Sequence, residues 1–283
     1  MKLLRWGEKT QEKPGLLDSS GQIRDLSGHL HDIEGGILSP HELDRIRSLA
    51  AINDLPIVSA STRLGPCVAR VPNFICVGLN YSDHAAETGA EIPKEPILFS
   101  KHTSAICGPN DDIIQPKNSI KLDWEVELGI VIGSTCRYVK ESDAIAHIAG
   151  YCVVNDVSER HFQIERGGQW VKGKSAETFA PIGPWLVTTD EIMDPQNLSL
   201  SLDVNGKRYQ TGSTSTMIFG VRYLISYISQ FMTLVPGDII STGTPPGVGL
   251  GQKPNVFLKP KDEMRLSVTD LGEQNQRVVS YTD

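Results

Sequence analysis

The chain has 283 residues, of which 39% are hydrophobic and 22% charged, a composition typical of a globular protein with one large domain and a small one. Its formal net charge of −7, without a run of basic residues, argues against nucleic acid or an anionic membrane surface as a partner. No apolar stretch approaches the roughly eighteen residues that cross a bilayer, and no signal-peptide core is present, so we expect a soluble, cytoplasmic protein.

Residues 1–70 are predicted to form a small N-terminal α+β domain, and residues 71–283 the larger domain. Short apolar runs separated by turn-forming residues predict strands at 2–6, 14–18 and 22–26. Ser39 is a candidate N-cap, because Pro40 follows at the first helical position and Glu42 lies three residues on. This pattern predicts a short helix that ends at about Ala51.

The larger domain opens with an apolar run at residues 71–80, the pattern of a buried strand, which leads into the polar segment 81–87. His84 and Glu87 are three residues apart, so on a helix they would share a face and could touch. A carboxylate beside an imidazole fixes the orientation of the ring, as a general base requires. The spacing also fits an amphipathic helix with both side chains in solvent, unless the pair faces a reactive centre.

Between residues 123 and 132, large apolar residues alternate with acidic ones, which is the period of a β-strand. Taken alone, the pattern fits a half-buried strand with a solvated polar face. Glu125 and Glu127 would be neighbours on that face, where their repulsion lowers stability unless water or a cation separates them. A second apolar run ends in Asp156. Three carboxylates from two strands suit a hard cation, so we predict a Mg²⁺ or Mn²⁺ site at these residues.

The segment after the second acidic strand carries further polar residues. Arg160 and Gln163 fall on one side of a predicted helical turn. The glycine-rich stretch 167–175 then predicts a loop that could place Lys172 or Lys174 over the metal site. Solvated lysines would be the more common outcome in such a loop.

The C-terminal third is predicted to be mostly strand. Asn205-Gly206 between alternating runs is a strong hairpin signal, and apolar residues at helical spacing over 217–231 predict one amphipathic helix. The glycine- and proline-rich loop 242–249 could hold Thr244 and its backbone N–H groups against an anion. Strand-like sequence over 260–279 completes a β-rich α+β chain.

Five ordered motifs between about residues 70 and 280 resemble those of the fumarylacetoacetate hydrolase family. They are Gly78-Leu79-Asn80-Tyr81-x-Asp83-His84, Asp123-Trp124-Glu125-x-Glu127-Leu128-Gly129, Asn155-Asp156-x-Ser158-x-Arg160-x-x-Gln163, Lys174-Ser175 and Thr242-Gly243-Thr244-Pro245-x-Gly247-Val248-Gly249. The chain resembles in particular the bacterial branch with 2,4-diketo-3-deoxy-L-rhamnonate and L-fuconate hydrolases and acylpyruvases. Small departures at 101–104 and 175–179 affect the expected substrate rather than the metal chemistry.

The resemblance implies a mixed β-sandwich roll, a homodimer and a Mg²⁺ or Mn²⁺ ion held by Glu125, Glu127 and Asp156. It implies a His-Glu pair on a lid over the substrate and an active-site lysine. These catalytic residues would be His84, Glu87 and Lys174. The residues implied to contact substrate are Arg160, Gln163, Thr244, Lys101 and Tyr81.

The reaction expected from the resemblance is hydrolysis of the C3–C4 bond of a 2,4-dioxo acid. The expected substrates are 2,4-diketo-3-deoxy-L-rhamnonate or L-fuconate, which would give pyruvate and lactate. Decarboxylation or tautomerisation of a 2-oxo diacid, or hydration of a 2-oxo-enoate, would fit the same metal scaffold. A non-catalytic metabolite-binding protein is the alternative from another functional class. The presence together of the three predicted metal ligands, the His84–Glu87 pair and Lys174 argues against it.

Overall fold

Strands dominate the computed structural model, which describes residues 1–50, 55–89 and 91–282. In chain order the strands are β1 (Lys2–Trp6), β2 (Lys13–Leu17), β3 (Ile23–Asp25), β4 (Ile57–Val58), β5 (Phe74–Gly78), β6 (Ile97–Lys101), β7 (Ile106–Cys107), β8 (Ile113–Gln115), β9 (Leu122–Asp123), β10 (Val126–Ile132), β11 (Ile148–Asn155), β12 (Ser158–Glu159), β13 (Ala180–Thr188), β14 (Ser199–Val204), β15 (Lys207–Ser213), β16 (Ile239–Ser241), β17 (Glu263–Val268) and β18 (Gly272–Ser280). The α-helices are α1 (Pro40–Ala50), α2 (Ser82–Thr88), α3 (Val171–Lys174) and α4 (Val221–Ile228). Among the described residues, no helix has the length and apolar character needed to span a membrane.

Within the described residues, eleven strands form one mixed sheet in the order β4-β3-β2-β1-β13-β11-β10-β16-β5-β6, with β7 pairing beside β13. Five others form a second sheet in the order β15-β14-β17-β18-β8, and β9 pairs with β12. The second sheet packs on the first where β14, β17 and β18 contact β10, β11 and β13. The predicted β-rich α+β fold with a mixed β-sandwich is confirmed.

The two strands that precede the predicted metal ligands lie at the centre of the large sheet. Every residue of β10 and β11 is buried, because the second sheet covers the face that alternation alone would leave to solvent. The prediction of one continuous strand over 123–132 is wrong, since Trp124 and Glu125 lie between β9 and β10. There the Asn155 side chain accepts the Glu125 N–H at 3.2 Å, replacing a ladder hydrogen bond.

The N-terminal strands appear at the predicted positions and continue the large sheet. β1 pairs antiparallel with both β2 and β13, so no gap separates residues 1–70 from the rest at this edge. Arg63 strengthens the connection, because it contacts Glu12 at 2.9 Å and Asp111 at 2.7 Å. The boundary at about residue 70 remains a prediction.

Three local predictions are confirmed with changed limits. The Ser39 hydroxyl accepts the Glu42 N–H at 3.4 Å and caps α1, whose predicted end at Ala51 lies outside the described residues. Asn205 and Gly206 have φ of 51° and 75°, as the tight turn between β14 and β15 requires. The helix predicted over 217–231 is the shorter α4, because the backbone of its N-cap residue Gly220 is extended.

Gly150 supplies a test of how tightly the centre of the large sheet is packed. A Cβ on Gly150 would lie 2.2 Å from the backbone oxygen of Val187 in the adjacent β13. We therefore expect Gly150→Ala to lower the free energy of unfolding by about 1–3 kcal/mol. Gly28→Ala is the control, since nothing lies within 4 Å of its added Cβ. Urea unfolding measures both variants, and equal stability of the two would contradict this account of the packing.

Candidate active site

Three acidic side chains converge where β10 and β11 pair. The register sets Val126 opposite Asn155, the last residue of β11. Glu125 and Glu127, on either side of Val126, therefore lie near Asp156, which follows β11. Glu125, Glu127 and Asp156 are all buried, and each offers an oxygen within 4.8 Å of the others. The three predicted metal ligands therefore form one cluster.

Three buried cations surround this cluster. Lys174 lies at the end of α3, and its Nζ donates to Glu125 Oε2 at 2.6 Å and to Asp156 Oδ2 at 2.7 Å. Lys101, at the end of β6, donates to Asp156 Oδ1. The Arg160 Nη2 donates to Glu125 Oε1 at 2.6 Å. Two of the three acids thus carry bound cations on both oxygens.

Asp123 has a supporting position that the sequence analysis did not assign. Its Oδ2 accepts from Arg160 Nε at 2.8 Å and from the Leu250 N–H at 3.0 Å, and its Oδ1 accepts from the Gly249 N–H at 2.6 Å. Asp123 therefore fixes both Arg160 and the loop that follows β16. The sequence signals for it were its place in the alternating acidic run and at the start of the motif that contains Glu125 and Glu127.

The pKa values of the two neighbouring glutamates are shifted in opposite directions. Burial opposes ionisation of Glu125, but Arg160 and Lys174 outweigh burial and lower its pKa to about 2. For Glu127, burial and the charges of Asp156 and Glu125 raise the pKa well above its ordinary value. Burial also opposes the charge on Lys174, yet Asp156 and Glu125 raise its pKa to about 12, so this lysine stays protonated at neutral pH.

The charges and donor atoms of the cluster fit a divalent cation. Within the described part of the chain, the cluster brings together four buried carboxylates and three buried cations, namely Asp123, Glu125, Glu127 and Asp156 with Lys101, Arg160 and Lys174. Glu127 receives neutral donors, from Ser241 Oγ at 2.5 Å and the Gly243 N–H at 2.8 Å. An ion between the carboxylates would supply the missing positive charge. The oxygen donors are those that hard ions such as Mg²⁺ and Mn²⁺ prefer.

The predicted His84–Glu87 contact is present on α2. His84 Nδ1 lies 3.1 Å from Glu87 Oε2, which also accepts the Gly247 N–H at 3.2 Å. His84 is buried and lines the same cavity as the acidic cluster. This placement favours an oriented imidazole at a reactive centre over a solvent-facing pair.

The cavity has a volume of about 250 Å³ and is lined by both charged and apolar residues. The predicted residues that line it are His84, Glu125, Glu127, Asp156, Arg160, Gln163, Lys174 and Thr244. The apolar lining residues, which the sequence analysis did not assign, include Leu79, Phe99, Ile164, Trp170, Val248 and Leu250. Arg160 Nη1 donates to Gln163 Oε1 at 3.1 Å, as their predicted common side implied.

Three residues predicted to contact substrate have other positions or partners. Lys101 and Tyr81 are fully or almost fully buried and are absent from the described lining of the cavity. The Thr244 hydroxyl donates to Val126 O at 2.9 Å and accepts from Gln210 Nε2 at 2.7 Å, so it joins the loop to β10. Direct substrate contacts of these three residues remain predictions.

Lys172, the other lysine of the glycine-rich segment, is exposed and donates to the backbone oxygen of Arg166. Lys174 is the lysine of this segment that reaches the acidic cluster.

Comparisons with known proteins identify the family of the chain. The family model described as fumarylacetoacetate (FAA) hydrolase C-terminal matches residues 73–279. A Burkholderia orbicola (strain MC0-3) protein named "Putative hydrolase" is 60% identical over 98% of each chain.

Solved structures of similar fold include a fumarylacetoacetate hydrolase from Exiguobacterium antarcticum, which is 33% identical with a TM-score of 0.86 and covers 99% of this chain and 100% of its own. A maleylpyruvate hydrolase from Sphingobium sp. SYK-6, solved with manganese(II) and pyruvate, is 28% identical with a TM-score of 0.82 over 100% of both chains. Mycobacterial isomerases are also among the similar structures. The chain belongs to the fumarylacetoacetate hydrolase family.

Proposed function

We propose that this protein is a metal-dependent hydrolase that cleaves the C3–C4 bond of a 2,4-dioxo acid. The observation that carries the proposal is the common cavity of the acidic cluster and the His84–Glu87 pair. A metal site alone would serve many reactions on 2-oxo acids. An oriented imidazole in the same cavity adds a group that can activate water.

Glu125, Glu127 and Asp156 would hold Mg²⁺ or Mn²⁺, which when bound supplies Lewis-acid polarisation of substrate oxygens. The maleylpyruvate hydrolase with manganese(II) and pyruvate supports this assignment by similarity. Arg160 and Lys174 fix the Glu125 carboxylate from two sides, so its orientation is set before any ligand arrives.

His84 is the proposed general base. Glu87 contacts Nδ1, and we assign to Nε2 the proton taken from water. The oxygen of that water attacks C4 of the substrate. The Gly247 N–H holds the Glu87 carboxylate in place, and this contact keeps the imidazole oriented.

Lys174 is placed to stabilise the leaving group. When the C3–C4 bond breaks, its electron pair passes to C3 and is delocalised onto the C2 oxygen as an enolate. The Lys174 ammonium, which stays protonated at neutral pH, stabilises that negative charge as it develops. Protonation at C3 then gives pyruvate, and C4 becomes the carboxylate of the second product.

Tautomerisation of a 2-oxo diacid is the second candidate, and the similarity to isomerases favours it. Such a reaction would use the same enolate stabilisation by Lys174 without attack of water at C4. The nature of the products separates the two reactions.

Pyruvate release from a panel of 2,4-dioxo acids tests the proposed reaction. The panel includes 5-hydroxy-2,4-dioxohexanoate, which is 2,4-diketo-3-deoxy-L-rhamnonate, and its analogue 2,4-dioxohexanoate without the hydroxyl. We expect pyruvate and one carboxylic acid in equal amounts with Mg²⁺, and loss of turnover after EDTA. Lactate dehydrogenase coupling measures pyruvate, and mass spectrometry identifies the second acid. Isomerised substrate without pyruvate would favour the tautomerase instead.

His84→Ala tests the general base. We expect kcat to fall by about 10²–10⁴, because general-base catalysis is typically worth that factor. His41→Ala is the matched control, since the His41 side chain is 88% exposed. Steady-state kinetics with bound Mg²⁺ measures both variants. Wild-type turnover in His84→Ala would refute the assignment of the base.

Glu127→Gln tests the metal site without requiring turnover. The amide keeps an oxygen that can accept from Ser241 and Gly243 but removes the negative charge. We expect the affinity for Mn²⁺ to fall by more than about ten-fold. Calorimetry or electron paramagnetic resonance of Mn²⁺ gives the affinity, with the exposed Asp44→Asn as control. Unchanged Mn²⁺ affinity would exclude Glu127 as a ligand.

A further inference from the structure

Two aromatic rings form a wall that begins beside the acidic cluster in the cavity. Lys174 Nζ lies 5.1 Å from the centre of the Phe99 ring. The Trp170 ring packs edge-on against Phe99, with 5.2 Å between centroids and 66° between planes. A ligand whose carboxylate end lies at the acidic cluster would therefore extend its other end along Phe99 towards Trp170.

The position of Trp170 depends on a glycine. A Cβ on Gly78, at the end of β5, would lie 2.6 Å from Cζ3 of the indole and 3.0 Å from Cη2. Any side chain at this position would push the indole away. Gly78 thus allows Trp170 to rest directly on the backbone of the strand.

Most of the uncharged side chains that line the cavity are apolar. Leu79, Ile164 and Leu250 line it with Trp170, and Ile164 and Leu250 are partly exposed to solvent, which marks the entrance. Gln163, which precedes Ile164, also lines the cavity, and its Oε1 accepts from Arg160 at 3.1 Å. A hydroxyl group packed against the Trp170 and Phe99 rings would lose water without an equivalent partner.

We infer that Trp170, held by Phe99 and Gly78, determines which substituent the enzyme accepts at C4 of its substrate. The wall selects a compact apolar group, alkyl or aryl, over a hydroxylated chain. This inference rests on the proposed function for the orientation of the substrate, with its 2-oxo acid end at the acidic cluster. It shifts the expected substrate from deoxy-sugar acids towards 2,4-dioxo acids with alkyl or aryl ends.

The test measures binding of 2-oxo acids that lack the C4 carbonyl and so cannot undergo the proposed cleavage. Calorimetry with the Mg²⁺-loaded protein compares 2-oxobutanoate, 2-oxohexanoate and 2-oxo-4-phenylbutanoate. In the wild type, we expect 2-oxo-4-phenylbutanoate to bind at least about ten-fold more tightly than 2-oxobutanoate. Differences in buried apolar area have effects of this size. We expect 5-hydroxy-2-oxohexanoate to bind more weakly than 2-oxohexanoate.

Two variants change the wall in different ways. Trp170→Ala removes the indole, and Gly78→Ala displaces it while keeping it in the chain. We expect Trp170→Ala to reduce the preference for 2-oxo-4-phenylbutanoate by about ten-fold, with little change in the affinity for 2-oxobutanoate. We expect Gly78→Ala to reduce the same preference to a smaller extent. Phe231→Ala is the control for loss of an aromatic ring, since Phe231 is 63% exposed and outside the described cavity lining.

The outcomes distinguish this inference from the proposed reaction. Wild-type preference in both Trp170→Ala and Gly78→Ala would overturn the role of the wall and leave the hydrolase proposal intact. If no dioxo acid releases pyruvate but the ligand preference still depends on Trp170, the proposed reaction is refuted and the role of the aromatic wall is supported. Equal binding of the hydroxylated and plain hexanoates, or no binding of any 2-oxo acid, would overturn the inference.

Discussion

The Lys174 ammonium, bound between Glu125 and Asp156, is the interaction on which the site depends. Isolated charges in a buried region are strongly unfavourable, and pairing is what makes them tolerable. Lys174 lies 2.6 Å and 2.7 Å from the two carboxylates, and both acids have a second cation on their other oxygen. The orientation of each acid is therefore fixed by two partners, which leaves little freedom for the cluster to rearrange.

The loop after β16 ties this cluster to the imidazole. Thr242 and Thr244 donate to backbone oxygens of β10, the strand that carries Glu127. Further along the same loop, the Gly247 N–H donates to Glu87, and Asp123 accepts two N–H groups. One segment thus contacts the proposed metal ligand Glu127, the supporting acid Asp123 and Glu87, the partner of His84. Displacement of this loop would disturb both halves of the proposed chemistry together.

Much of the charged site follows from local sequence. Glu125 and Glu127 are two residues apart, and Arg160 and Gln163 are three apart, so short-range geometry suffices to pair them. The burial of β10 on both faces could not be predicted in this way, because the covering strands begin more than sixty residues later in the chain. Trp170 and Phe99 lie in segments without a repeating pattern, and only the fold brings them to the cavity. Thr244 was predicted in the correct loop, but its hydroxyl partners come from β10 and β15.

The imbalance of charge at the cluster also bears on the order of binding. With all four carboxylates ionised, the cluster has one more negative than positive charge, which repels the carboxylate of a 2-oxo acid; the raised pKa of Glu127 allows a proton to remove that excess when no ion is bound. A divalent cation reverses the sign of that excess. The pKa of Glu127 is raised for the same reason, because burial and the negative charges of Asp156 and Glu125 oppose its ionisation. A divalent cation that replaced this proton would make the cluster positive, so electrostatics favour entry of an anionic substrate after such a cation has bound.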